Sequence, residues 1–171
     1  MNSIFYYHLG VFEALNVLWK NIDDGYYFHS SGLARFLLRV FHRKIRPVDF
    51  HLFTLRDSQG LHCYQSMYSL DLLTVCREMG DRLIQTDPIL RMMSERFSTT
   101  SMTVYVKKIL ERDLTERIIF VHAIIWYRQQ RRIDPKAFVE FIIPAIPGQE
   151  ILMKYCKSAY GINIVGSLSI R

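Results

Sequence analysis

"FIIPAIPGQEILMKYCKSAYGINIV" (residues 141–165) decides the fold class. Its opening completes "AFVEFII" (137–143), a run of apolar, aromatic and β-branched residues that suits a buried strand. The Pro144…Pro147-Gly148 loop then turns the chain. Residues 148–160 place Ile151, Leu152, Tyr155 and Cys156 at helical spacing, facing inward. Gly161 supplies the left-handed residue that stops a helix. "INIVG" (162–166) is the next strand. Strand, helix and strand in that order form a parallel β-α-β unit, because such crossovers are right-handed in nearly every case.

The N-terminal segment repeats the rhythm. "SIFYYHL" (3–9) reads as a buried strand ended by Gly10. "VFEALNVLWKNI" (11–22) has Phe12, Leu15, Leu18 and Trp19 at helical spacing. Asp23, Asp24 and Gly25 make a turn, and "YYFH" (26–29) is a second strand. Ser30 or Ser31 caps a helix over 32–45 by accepting from a free N–H of its first turn. This alternation points to an α/β layer.

Two further devices follow. "VDFHLFTLRDSQGLHCYQSM" reads as a β-hairpin, with Asp57-Ser58-Gln59-Gly60 as a type I turn and Gly60 left-handed. From Ser69 to Asp134 the pattern is helical. Leu72, Leu73, Cys76, Met79 and Leu83 lie on one side of its first helix. Asp87-Pro88 starts the next helix, with Ile89, Met92, Met93 and Phe97 at helical spacing. "TVYVKKILERDLTERIIFVHAIIWYRQQRR" fits one long helix or two. The expected fold is α/β: a Rossmann-like, mainly parallel sheet with a β-hairpin and a helical insertion. It forms one domain over 1–171, with the insertion at about 69–134.

Composition narrows the partners. Half of the 171 residues are apolar and 22% are charged, which fits a folded globular chain. Twenty-two Lys and Arg against 16 Asp and Glu give +6, a balance that favours anionic partners. Cys63, Cys76 and Cys156 are widely spaced and odd in number, so a disulfide framework is not expected and a reducing compartment is. "MNSIFYYHLG" has neither a basic leader nor a small-residue cleavage site, which argues against a secretory signal. The longest apolar runs, 118–127 and 141–147, fall short of the roughly 20 residues a membrane span requires.

Several residues are candidates for chemistry. Arg35, Arg39 and Arg43 recur every four residues on the second helix, opposite Leu33, Phe36, Leu37, Val40 and Phe41. That pattern suits an anionic membrane surface or the phosphates of a lipid acceptor. It equally suits a helix lying on a sheet with its arginines in water. Arg128, Arg131 and Arg132 follow Trp126-Tyr127, a pairing found in single-strand nucleic-acid binders and at membrane interfaces, and also at ordinary helix C-termini. With no nucleic-acid motif beside them, nucleic acid is not the expected partner.

Gly148 and Gln149 stand where a strand hands over to a helix, a usual ligand position in open α/β sheets. They lack a Gly-x-Gly-x-x-Gly or Walker pattern, and a plain turn has the same look. His8 and His29 end the first two expected strands and reach one crevice if those strands are parallel neighbours, with Ser30 and Ser31 nearby. No histidine or cysteine spacing matches a metal site, so no metal is expected.

The order of parts supplies one more expectation. An aromatic β-α-β start, a basic helix, the hairpin "FTLRDSQGLHCY", a helical excursion with Arg-rich ends, and "LMKYCKSAYGI" before a last strand follow one another. This layout resembles the N-terminal lobe of bacterial surface-carbohydrate (polysaccharide) biosynthesis proteins of the glycosyltransferase-like kind, built from two Rossmann-type lobes. The resemblance covers most of the chain and rests on layout and hydrophobic pattern. It implies a cytoplasmic enzyme, peripheral at the inner membrane, that moves a sugar from a nucleotide donor to a lipid-linked or polysaccharide acceptor. It further implies that the donor is held by a C-terminal lobe or partner chain, and that this chain is the acceptor-side fragment with no cofactor of its own. No family motif is present on which to carry over a catalytic residue. The alternative is a non-catalytic basic module docking on acidic partners or a membrane surface; nucleic-acid binding is a weaker one.

Overall fold

The computed structural model describes residues 3–20, 25–41, 45–48, 56, 60–61, 70–97, 99–130 and 138–167. The chain divides into two compact units. One contains residues 1–51, 127–145 and 156–171, and the other residues 52–126 and 146–155.

The first unit is built on a five-stranded sheet: β1 (Ser3–Leu9), β2 (Gly25–Ser30), β3 (Arg46–Pro47), β4 (Val139–Pro144) and β5 (Ile162–Ser167). Its order is β3-β2-β1-β4-β5, and every neighbouring pair is parallel. The expected β-α-β unit is present, with Phe141 opposite Ile164 and Ile142 opposite Val165. Helices α1 (Val11–Trp19) and α2 (Gly32–Val40) connect the first three strands.

Side chains alternate across a pleated strand, so register partners share a face. Phe5, Tyr26 and Phe141 are such partners. On their face Phe5 stacks on Tyr26 at 4.9 Å, Tyr127 meets both rings edge-on, and Phe28 meets Phe141 edge-on at 6.0 Å. A second core joins Tyr6 and Leu9 of β1 to Ala14 and Val17 of α1, Ala34 and Leu38 of α2, and Ile45. Gly25 allows that closeness, since a Cβ there would lie 2.8 Å from Ile45 Cδ1.

The inward faces of α1 and α2 are not the large apolar stripes that helical spacing picks out. Ala14 and Val17 are buried in α1, while Phe12, Leu15 and Trp19 are exposed. In α2 Ala34 and Leu38 are buried, while Leu33, Phe36, Val40 and Phe41 are exposed. Both helices turn an alanine inward, in the one cluster they share, and leave their bulk outside. Helix α2 begins as expected at Ser31, whose Oγ accepts from Ala34 N at 3.1 Å. It is assigned to Val40, and residues 42–44 of the expected helix lie outside the described residues.

The second unit is helical: α3 (Leu72–Thr86), α4 (Pro88–Phe97), most of α5 (Thr99–Gln130) and the first half of α6 (Gln149–Tyr160). Segment 99–130 is one continuous helix of 32 residues. Its buried positions include Met102, Val106, Leu110, Leu114, Ile118 and Val121, whereas Val104 and Ile109 are exposed. Gly80 lets α3 and α5 approach, because a Cβ there would lie 3.1 Å from Lys107 Cγ. Nearby, Cys76 Sγ donates to the Lys107 carbonyl at 3.2 Å.

Helix α4 starts as the Asp87-Pro88 pair implies: Asp87 Oδ1 accepts from Ile89 N and Leu90 N. Its Ile89, Met92 and Phe97 are exposed. The expected hairpin lies largely outside the described residues. Within it Gly60 is left-handed at φ 78°, and Arg56 Nη1 donates to the Gly60 carbonyl at 2.8 Å.

Candidate functional site

In an open parallel sheet ligands gather at the C-terminal ends of the strands, where the strand order reverses. Here the reversal falls between the parallel neighbours β1 and β4: the strand that follows β1 lies on one side of the pair, and the strand that follows β4 on the other. The rim therefore starts from the end of β1, at His8, Leu9 and Gly10.

His8 and His29 are register partners on the neighbouring strands β1 and β2, and both are exposed. Tyr7 meets the His29 ring edge-on at 5.6 Å. Ser30 pairs with Leu9 at the same end of the sheet. The two histidines thus stand side by side at the end of the sheet, with Ser30 the next residue along β2. Ser31 is committed to the α2 cap, and its backbone N–H donates to the Leu9 carbonyl at 3.1 Å.

Gly10 is the residue sequence reading passed over. It caps α1, and a Cβ on it would lie 2.6 Å from Glu13 Oε2 and 3.9 Å from His8 Nδ1. The Glu13 carboxylate therefore folds back over the first turn of α1, on the same side of Gly10 as the His8 imidazole. A carboxylate is favoured there by the helix dipole, and it takes the place in which a helix N-terminus would hold a phosphate. The available signal was a Gly followed three residues later by Glu at a strand-to-helix junction. Below this rim Tyr6 is buried, and its phenol is pushed up to about 12 by desolvation first, then by the Glu140 and Glu13 carboxylates.

In the other unit, Gly148 is left-handed at φ 73°, and a Cβ there would lie 3.3 Å from Met79 Cε. Gln149 is buried. Its Oε1 accepts from Ile146 N at 3.0 Å, which closes the turn, and its Nε2 has no hydrogen-bond partner among the described residues.

The arginines separate. Arg35 and Arg39 are exposed on α2. Arg43, Arg131 and Arg132 lie outside the described residues. Arg128 is only 7% exposed, and its Nη1 donates to the Tyr160 carbonyl at 3.4 Å. The C-terminal carbonyls of α6 favour a cation, which suits this inward position.

A further cluster in the helical unit was not anticipated. Asp71, largely buried, accepts from His122 Nε2 at 2.8 Å and from the Tyr155 hydroxyl at 2.5 Å. The signal was His122 alone in the apolar run "IIFVHAIIWY", which asks for a polar partner. No group of three or more His, Cys, Asp or Glu side chains among the described residues is arranged to hold a metal ion. No described helix is long and apolar enough to cross a membrane. Comparison of the chain with protein-family models, with curated proteins and with solved structures gives no match.

Proposed function

We propose that this chain is the acceptor-side lobe of a glycosyltransferase-like protein of bacterial surface-polysaccharide biosynthesis. The supporting observation is the all-parallel order β3-β2-β1-β4-β5, with His8 and Glu13 beside Gly10 at the end of β1. Imidazole exchanges protons near neutral pH, which suits a general base for a sugar hydroxyl. In this reading His8 takes the proton of the acceptor hydroxyl as its oxygen attacks the anomeric carbon. The bond from that carbon to the donor phosphate breaks, and Glu13 stabilises the imidazolium. The Glu13 carboxylate over the α1 N-terminus repels a diphosphate, so the nucleotide belongs on a C-terminal lobe or partner chain.

The test is a transfer assay with the full-length protein, using UDP-N-acetylglucosamine as donor and a polyprenyl-diphosphate-linked sugar, which offers a free hydroxyl, as acceptor. His8→Ala is expected to lower kcat by about a hundredfold or more, the usual contribution of a general base. His8→Ala with unchanged kcat and unchanged pH profile overturns the assignment. The second reading, a non-catalytic module docking on acidic partners, is favoured by exposed Arg35 and Arg39 on a helix without a carboxylate. It predicts binding without transfer. Nucleic-acid binding loses Arg128, whose guanidinium is buried.

A further inference from the structure

Exposed on α1 are Phe12 (81%), Leu15 and Trp19 (91%), at spacing i, i+3, i+7. On α2 Leu33, Phe36 (61%) and Val40 repeat that spacing and are also exposed. Each set forms one stripe, because residues three and four apart share a helix face. The helices contribute Ala14 and Ala34 to one shared core, so the stripes belong to the same layer of the sheet unit. A monomer rarely leaves a contiguous apolar patch of more than a few hundred Å² in water, and a larger one marks an interaction surface.

Charge selects the occupant. Lys20, Arg35 and Arg39 are the exposed cations at these helices. The one carboxylate within α1 and α2 is Glu13, which is folded back over Gly10. In sequence, Asp23 and Asp24 follow α1, and His42-Arg43-Lys44 follow α2. A second copy would present the same cationic face, with no exposed carboxylate on α1 or α2 to meet Arg35 and Arg39. Aromatic side chains beside Lys and Arg, on a helix too short to span, are the composition of a segment that lies in a membrane interface.

We propose that the outward face of α1 and α2 docks on an anionic lipid surface, with Phe12, Trp19 and Phe36 entering the headgroup layer and Arg35 and Arg39 meeting lipid phosphates. The argument uses only this face, so it stands whether or not the sheet rim transfers sugar.

Co-sedimentation of the full chain with vesicles tests it. Phosphatidylcholine containing about one third phosphatidylglycerol is compared with phosphatidylcholine alone. Binding to the anionic vesicles only is expected. In a Trp126→Phe background, Trp19 emission should then shift to the blue. R35E/R39E should weaken binding by roughly thirtyfold or more. Trp19→Ala with Phe36→Ser should weaken it by about tenfold or more while the circular dichroism spectrum is unchanged, because these side chains are exposed. Three results overturn the proposal. One is no binding to anionic vesicles. Another is binding that the apolar replacements do not weaken. The third is a dimer, seen by light scattering, that the Trp19→Ala replacement dissolves.

Discussion

His122 Nε2 donates to Asp71 Oδ2 at 2.8 Å, joining the middle of α5 to the residue that precedes α3. Tyr155 of α6 donates to the other carboxylate oxygen. Three helical segments of one unit therefore meet on a single acidic group. A buried carboxylate is tolerated when donors satisfy it, and charge-assisted bonds stabilise by about 1.5–3 kcal/mol each.

Asp71→Ala is accordingly expected to lower unfolding free energy by about 3 kcal/mol, with Tyr155→Phe costing about 1–2 kcal/mol. Urea denaturation checks both. A double-mutant cycle of Asp71→Ala with Tyr155→Phe should be strongly non-additive, since the second change removes a bond that the first has already broken. Additive effects would mean that the carboxylate does not join the two segments.

This node shows where sequence reading stops. Strands β1, β4 and β5, the Ser31 cap, the Asp87 cap and the Gly161 stop were legible because each is a local preference. They rest on β-branched and aromatic runs, a hydroxyl before a helix, or a glycine at φ 65°. Asp71, His122 and Tyr155 are 51 and 84 residues apart, and their meeting depends on how helices pack. The inward faces of α1 and α2 were not legible for a related reason. Spacing shows that a helix has an apolar stripe, not that the stripe is buried. Here Ala14 and Ala34 face the shared core, and Phe12, Trp19 and Phe36 are left outside. At the rim His8 and His29 were legible as strand ends, whereas Glu13 over Gly10 required the helix to be in place.

Tyr6 makes stability depend on alkaline pH. Its phenol is raised from an ordinary value near 10 to about 12, chiefly by burial. Below pH 10 the group is protonated in both folded and unfolded chains, and its contribution to stability is fully present. Between pH 10 and about 12 the unfolded chain loses the proton first, so stability falls, by about 2–3 kcal/mol in all. Tyr6→Phe should flatten this part of a denaturation-versus-pH series. If the slope persists in the variant, another group is responsible.

Two left-handed glycines should respond differently to alanine. At Gly161 nothing lies within 4 Å of a new Cβ, so the cost is that of the backbone conformation alone, about 1 kcal/mol. Gly148 has the same kind of backbone, but a Cβ there would press on Met79 Cε at 3.3 Å. Gly148→Ala should therefore cost more, about 2 kcal/mol or above. Gly161→Asn should recover part of the smaller loss, because Asn enters that region more readily. Thermal or urea melts of the three variants rank them, and equal losses at both sites would contradict the packing at Met79.

Ser31 links folding to the outward face of α2. Its Oγ accepts from Ala34 N, and Ala34 is itself buried against Tyr6 and Leu9. Removing the hydroxyl leaves a first-turn N–H without that acceptor, at a cost of about 1 kcal/mol. Ser31→Ala should lower the urea midpoint by a corresponding amount. Ser31→Asn should restore it, since the amide oxygen caps as well as the hydroxyl and adds no charge beside Arg35. Neither change touches Arg35, Arg39 or Phe36, so well below the unfolding transition both variants should bind anionic vesicles as the parent does. A variant that melts like the parent yet fails to bind would place Ser31 in the lipid contact itself rather than in the fold beneath it.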